Sequence, residues 1–337
     1  MKILVVRNDG LGDLILTLPL LASIKKQLPD SEITLLIKRN LVHVVELFDC
    51  VDNYLIDDGI LLKRDFHKFD TIERKKKQKL LSAQLKEMMF DLAIVPYSEY
   101  ESAKILYLSG IPLRMGSIRK PHFFFFNRWF LYSRKNSDLT EYQLNLKYLK
   151  LMGLKEEYVH PQLKTEKIKK NIYPHKNLVI HPYKKSKTSL GWPVEKYETL
   201  VSRLTVKYMV AIIGDMGDGD YLFNIFGKYP NVTIYTEIDL RQMSELIYNA
   251  DLFIGNSSGP LHLAAVLAVP HIGFFPNASS VSSRRWKTLP SDDETSVQLI
   301  DSLIPCKRQI CKPVICGYEN CLDSININDV CVRIKEL

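Results

Sequence analysis

Twice along this chain, short apolar runs alternate with amphipathic segments, and a polar stretch separates the two series. That pattern constrains the fold more than any other feature. Strands buried on both faces read as continuous apolar runs, and helices must cover the sheet they form. In the first series, residues 3–6, 33–37, 53–56 and 91–95 read as strands, and 14–27, 41–48 and 74–90 as helices. Residues 155–176 are polar, hold two prolines and show no sustained period, so they read as a link. The series then restarts, with strands at 178–180, 209–213, 232–235, 252–254 and 271–275, and helices at 193–207, 240–249 and 259–268. The expected fold is α/β, with two Rossmann-like halves. Ligands in such sheets bind beyond the carboxyl ends of the strands, which places the expected site in a cleft between the halves.

The bulk properties agree with that division. A chain of 337 residues suits two domains. A net charge of +8 suits an anionic ligand or a membrane surface without naming either. Lys2, Arg7, Asp9 and Asp13 interrupt the start, so it does not read as a secretory leader. Residues 252–283 carry no Asp, Glu, Lys or Arg, but Asn256, Ser257, Ser258, Gly259, Pro260, His262 and Pro270 divide the run. It reads as strand, loop, helix and strand, not as a membrane span. Cys306, Cys311, Cys316 and Cys321 recur at intervals of five rather than as the close pairs of zinc sites, and read as reduced thiols of a cytoplasmic protein.

Four loops after strands carry candidate chemistry. In "RNDGLGDLILTLP", residues 7–19, Asp13 stands at the mouth of a helix behind a glycine turn, where it reads either as a helix cap or as a working carboxylate. The glycines imitate a dinucleotide fingerprint, but Ile15 occupies its third position and Lys38 and Arg39 replace the expected acid, which disfavours NAD and leaves NADP open. In "DLFIGNSSGPLHLAAVLAVP", residues 251–270, a strand ends in small residues before a helix, as an anion site requires. Gly259 admits a close phosphate, Ser257 and Ser258 add hydroxyls, and His262 lies in the first turn; the alternative is a capped helix packed in a core. "HPYKKSKTSLGWP", residues 181–193, offers Lys184, Lys185 and Lys187 to a diphosphate, or is a solvated loop. In "GDMGDGD", Asp218 and Asp220 fit a metal-binding D-x-D, but the composition reads as a turn whose Asp218 hydrogen-bonds a ribose. Outside these loops, "RKPHFFFFNRWFLYSRK", residues 119–135, reads as a stacking surface for single-stranded nucleic acid, a lipid-interface segment, or a loop and buried strand. The basic run 74–79 reads as a solvated helix face.

"KILVVRNDGLGDLILTLPLLASIKKQLP" and "ADLFIGNSSGPLHLAAVLAVPHIGFF" together resemble the lipopolysaccharide heptosyltransferases, glycosyltransferase family 9. "LRMG" at 113–116, "HP" at 181, "WPVEKYETL" at 192–200 and the tail's "CLDSI" follow in the same order. The resemblance implies a GT-B fold, two Rossmann-like domains facing each other across a cleft. Residues 1–160 would bind the acceptor and 175–337 the nucleotide-sugar donor, the last helix either staying there or packing back on the first domain. It implies an inverting transfer of heptose from ADP-heptose to a lipid A–core acceptor. No cofactor, metal or nucleic acid is implied, and the place of work is the cytoplasm with peripheral contact with the inner membrane.

By the same resemblance Asp13 is the general base, with Gly10 and Gly12 keeping its approach open. Ser257, Ser258, Gly259, Pro260, Leu261 and His262 form the donor phosphate segment, Asp218 meets the ribose and Ile238 the adenine. Arg119 and Lys120 belong to an acceptor loop. Two positions depart from the family pattern: Ser257 replaces an Asp tied to the donor sugar, and Leu190 replaces a basic residue, leaving Lys187 or Lys185 to meet the diphosphate. The competing readings are a glycosyltransferase with another sugar or acceptor, an NADP-dependent oxidoreductase, and a non-catalytic sugar-nucleotide binding module.

Overall fold

The computed structural model describes residues 1–117, 121–130, 138–171, 175–182, 191–291, 293–306 and 320–336. The chain divides into two compact units, one made of Met1–Ser137 with Glu141–Lys167, the other of Asp138–Thr140 with Ile168–Leu337. Each is built on a six-stranded sheet, and every named strand pair is parallel.

The first unit contains β1 (Lys2–Val6), β2 (Glu32–Ile37), β3 (Asn53–Ile56), β4 (Leu92–Ile94), β5 (Leu113–Ser117) and β6 (Arg128–Phe130), in the spatial order β3-β2-β1-β4-β5-β6. Its helices are α1 (Leu11–Ile15), α2 (Leu18–Gln27), α3 (Val42–Glu46), α4 (Thr71–Glu87), α5 (Tyr100–Leu108) and α6 (Glu141–Leu151). β1 lies at the centre, with Ile3 paired to Ile33 on one side and Leu92 on the other. Its apolar run is buried on both faces, as a central parallel strand requires. On one face, Leu81 and Leu85 of α4, Ala103, Ile105 and Leu106 of α5, and Phe126 pack in one core with Leu4 and Val6. Gly116 makes room for that phenylalanine, since a Cβ there would stand within 2.6 Å of its ring.

Two local readings change. The helix expected over 14–27 is two helices, and α1 begins earlier, at Leu11. Pro19 cannot donate a hydrogen bond, so the chain restarts at Thr17 with proline in the first turn of α2. Asn145 Nδ2 donates to Leu16 O at 2.8 Å and to Thr17 Oγ1 at 3.2 Å across the break. The aromatic segment is described only over 121–130, where a 3₁₀ stretch kinked at His122 (Pro121–Phe125) leads into the edge strand β6.

The second unit contains β7 (Asn177–His181), β8 (Met209–Ile213), β9 (Val232–Tyr235), β10 (Leu252–Asn256), β11 (His271–Phe275) and β12 (Val297–Asp301), in the order β12-β11-β10-β7-β8-β9. Its helices are α7 (Val194–Leu204), α8 (Gly219–Phe226), α9 (Leu240–Tyr248), α10 (Gly259–Val266), α11 (Ser283–Trp286) and α12 (Ile327–Glu336). Trp192 anchors its core, with ring centroids 4.8 Å from Tyr197 and 4.5 Å from Phe274. Val330 and Ile334 place α12, the last helix, in this same core. Among the described residues, no helix is long and apolar enough to cross a membrane.

In both sheets the first strand of the unit is central, and later strands are added on one side and then the other. Chain direction across the sheet therefore reverses between β1 and β4, and again between β7 and β10. The loops leaving the carboxyl ends at such a reversal diverge and leave a crevice.

Gly273 on β11 sets how closely α10 approaches its sheet. A Cβ there would stand 2.6 Å from Leu261 Cδ2 and 2.9 Å from the Phe275 ring. Gly273→Ala should therefore destabilise the protein by ~1–3 kcal/mol, the usual cost of overpacking a core, read as a lower urea midpoint. An unchanged midpoint would mean that α10 shifts freely and that this contact does not fix it.

Candidate active site

At the reversal point of the second sheet, β7 ends in His181 and β10 in Asn256, with Gly255 in register beside His181. Asn256 Oδ1 accepts from Trp192 N at 2.8 Å, and Ser257 N donates to Phe274 O at 3.0 Å, so the loop leaves the sheet on fixed supports. Ser258 is the N-cap of α10 with extended backbone, but its hydroxyl bonds no helix N–H; Oγ lies 3.4 Å from His181 Nδ1. The first-turn N–H groups of Gly259 and Leu261 have no intrahelical partner, and Pro260 has no N–H at all. The partly exposed residues 257–260 form a helix N-terminus suited to an anion.

The six-residue segment singled out from the sequence does not act as one surface. Leu261 is buried and His262 is 3 % exposed, both beneath the turn. Burial pushes the His262 imidazole down to about 3, with His271 adding to the effect, so it is neutral at physiological pH and brings no positive charge to a phosphate. Its Nδ1 is buried without a hydrogen-bond partner among the described residues. His271 is also lowered by burial, though Nδ1 contacts Val269 O at 2.9 Å and Nε2 contacts Thr288 Oγ1 at 3.0 Å.

Beyond β8, Asp218 is buried at the N-cap of α8, and its Oδ2 accepts from Asp215 N at 3.3 Å. Asp220 is exposed in the first turn of the same helix. Burial lowers His181, while the nearby charges of Asp215 and Asp218 oppose the shift. Asp218, His181 and Ser258 thus gather where β8, β7 and β10 end. Ile238 is half-buried in the loop between β9 and α9. Lys184, Lys185, Lys187 and Leu190, like Arg119, Lys120, Cys311 and Cys316, lie outside the described residues.

At the reversal point of the first sheet, Gly10 is the N-cap of α1, and Asp13 sits within the first turn rather than at the cap. Its Oδ1 accepts from Arg7 Nη2 at 2.8 Å, while Arg7 Nε donates to the Asp13 carbonyl at 3.1 Å. The Arg7 side chain is fully buried, but that of Asp13 keeps 27 % of its surface exposed. Arg7 Nε also lies 3.3 Å from Asp9 Oδ1, and Nη2 lies 3.9 Å from Oε1 of the fully buried Glu141. A Cβ on residue 10 would stand 3.1 Å from Asp13 Oδ2, which gives the glycine there a steric purpose. Gly12 lies inside α1, its carbonyl accepting from Leu16 N. Asn8 Nδ2 donates to Asp57 Oδ2, whose Oδ1 accepts from Gly59 N at 3.0 Å and Ile60 N at 2.9 Å.

Sequence reasoning did not single out Arg7, Asp9, Glu141 or His181 as site residues. Arg7 carried a signal, a charge directly after a buried strand. Glu141 carried none, because only the fold brings it to Arg7.

Residues 79–312 match the sequence model of glycosyltransferase family 9 (heptosyltransferase). The chain belongs to that family. A Haemophilus influenzae protein named as a candidate glycosyltransferase is 28 % identical over 317 residues, with 87 % of each chain covered. The Escherichia coli heptosyltransferase WaaC, solved with ADP, matches at a TM-score of 0.79 and 14 % identity, covering 100 % of this chain and 99 % of its own. The same enzyme with ADP-2-deoxy-2-fluoro heptose matches at 0.75 and 15 % identity, again over 100 % and 99 %. A family 9 glycosyltransferase from Veillonella parvula matches at 0.81 and 16 % identity, over 99 % and 96 %. The two Rossmann-like units of this family 9 enzyme are therefore those of a GT-B fold, as the resemblance implied.

The neutral His262 has a measurable consequence. Its folded value, about 3, lies below the ordinary 6.5, so below pH 6.5 the unfolded chain takes up a proton that the folded chain refuses. Stability is full above pH 6.5 and falls with acidification, by ~1.4 kcal/mol per pH unit for this group. His262→Gln should flatten the fall in unfolding free energy between pH 6.5 and 5. An unaltered slope would show that this imidazole is not held neutral.

Proposed function

We propose that this family 9 enzyme transfers heptose from ADP-heptose to a lipid A–core acceptor of lipopolysaccharide, with inversion at the anomeric carbon. The observation that carries the reading is the partly exposed carboxylate of Asp13, held by the buried Arg7 at the reversal point of its sheet. Asp13 is not the cap of α1, since Gly10 occupies that position. The ADP in the WaaC structures supports the choice of donor.

In this reading the second unit holds the donor. The Gly259 and Leu261 N–H groups and the Ser257 and Ser258 hydroxyls take the diphosphate, Asp218 a ribose hydroxyl, and Ile238 packs on the adenine. The helix N-terminus, joined by Lys187 or Lys185, stabilises the charge that grows on ADP as it leaves. The acceptor oxygen attacks the anomeric carbon from the face opposite the diphosphate. Its proton passes to Asp13, a new C–O bond forms, and the bond from sugar to phosphate breaks with its electron pair on ADP. Arg7 keeps the receiving carboxylate aimed. The acceptor is lipid-linked, so the enzyme works at the cytoplasmic face of the inner membrane. A second reading keeps this chemistry with another sugar, because Ser257 stands where the family pattern has a sugar-bound Asp.

Asp13→Asn preserves shape but cannot accept a proton at neutral pH. Turnover should fall ~10²–10⁴-fold, the usual loss with a general base, while ADP affinity and melting temperature stay near wild type. Near-normal turnover would remove Asp13 from the chemistry. Gly259→Val should weaken ADP binding by blocking phosphate approach to the turn; a folded variant with wild-type ADP affinity would move the donor site elsewhere.

A further inference from the structure

One side of the first unit is both basic and apolar at its surface. α4, α5 and the 3₁₀ stretch Pro121–Phe125 all lie on the same face of the sheet, since α4, α5 and Phe126 share one buried core and Phe125 packs against it. Their outward sides form a single surface. On α4 this surface carries exposed Lys75, Lys76, Lys79 and Lys86, none of which pairs with a carboxylate among the described residues. Ile72 precedes them and Leu80 stands among them, each more than half exposed. On α5 the outward stripe is Tyr100, Lys104, Tyr107 and Leu108, the spacing of one helix face.

The aromatic residues join into one patch. Phe125 lies 5.7 Å from Tyr100, 5.5 Å from Tyr107 and 4.4 Å from Phe124, ring centre to ring centre. Phe124 is 61 % exposed, and Arg114 stands 5.3 Å over the Tyr107 ring. Large exposed apolar patches rimmed by polar residues mark sites of contact with proteins or membranes.

We infer that the outward side of α4, α5 and residues 121–125 is a docking surface for an anionic lipid bilayer. The lysines complement acidic headgroups, and Phe124, Tyr107, Leu108, Leu80 and Ile72 enter the boundary between headgroups and acyl chains. A nucleic acid would use the rings but gain nothing from the exposed aliphatic residues. A second copy of the chain would bring like charge against like charge. The inference deepens the proposed function, resting on the reading of a lipid-linked acceptor, and names the face that meets the membrane. It also changes the reading of the basic run 74–79, whose exposed lysines do more than keep a helix in water.

The test is co-sedimentation with vesicles of phosphatidylglycerol and phosphatidylcholine, and with vesicles of phosphatidylcholine alone. Wild type should bind the anionic vesicles, weakly bind the neutral ones, and release as salt rises. Replacing Lys75, Lys76 and Lys79 together by Gln should lower partitioning roughly 100-fold, each lysine near an anionic surface being worth about fivefold. Tyr107→Ser with Phe124→Ser should lower it at unchanged charge. Both variants should keep wild-type ADP affinity. Undiminished vesicle binding in both variants would overturn the inference, as would equal binding to neutral vesicles. Concentration-dependent dimerisation lost in the same variants, or tighter binding to a single-stranded oligonucleotide than to vesicles, would also overturn it. A protein that binds anionic vesicles through this face yet transfers no heptose would contradict the proposed function and leave the surface standing.

Discussion

Right-handed crossovers add parallel strands to one side of a sheet at a time, so a sheet whose first strand is central must reverse direction once. The proposed chemistry of this protein rests on where that reversal falls. It lies between β1 and β4 in one unit and between β7 and β10 in the other. At each, the loop that leaves the earlier strand and the loop that leaves the later one turn apart. Backbone N–H groups and side chains at the strand ends are then left facing open space instead of a neighbouring crossover. The two longest motifs in the sequence, around Asp13 and around Gly259, sit at these two places.

The two sites solve different electrostatic problems. At the first, a guanidinium with no exposed surface lies among Asp9, Asp13 and Glu141. Removing the guanidinium from such a set typically costs ~3–5 kcal/mol, because the buried carboxylates of Asp9 and Glu141 are left uncompensated. The arrangement therefore fixes the orientation of Asp13 strongly while leaving its carboxylate reachable. α6 braces the same region: Asn145 ties the break between α1 and α2, and Tyr148 donates to Val95 O at 3.1 Å beyond β4. At the second site no buried cation is supplied by the histidine beneath the turn. His262 is neutral, so in the proposed donor site the attraction for an anion would come from the first-turn N–H groups and the helix dipole.

Most strands were legible because each apolar run is short and bounded by turn residues, and 53–56, 209–213, 232–235 and 271–275 match the observed strands residue for residue. Between β4 and the link, only 119–135 carries a strand among its sequence readings, and the region holds α5, β5, β6 and α6. There the exposed Tyr107, Leu108, Phe124 and Trp129 blur the contrast between inside and outside on which periodicity depends. The break at Leu16–Thr17 has a local signal in Pro19, whereas the Asn145 amide that ties it is distant in sequence. The motifs around Asp13 and Gly259 could be read because a glycine turn after a strand is a local signal. The company kept by Arg7 and the burial of His262 are properties of the folded core, and no spacing announces them.

Turnover of the wild-type protein with ADP-heptose and a delipidated lipopolysaccharide inner-core acceptor, followed by mass spectrometry of the product, tests the central claim most directly. The account predicts an acceptor heavier by one heptosyl unit, one ADP released per unit transferred, and inversion at the new linkage, all unaffected by a metal chelator. Transfer from a different nucleotide sugar with none from ADP-heptose, or retention of configuration at the linkage, would contradict it.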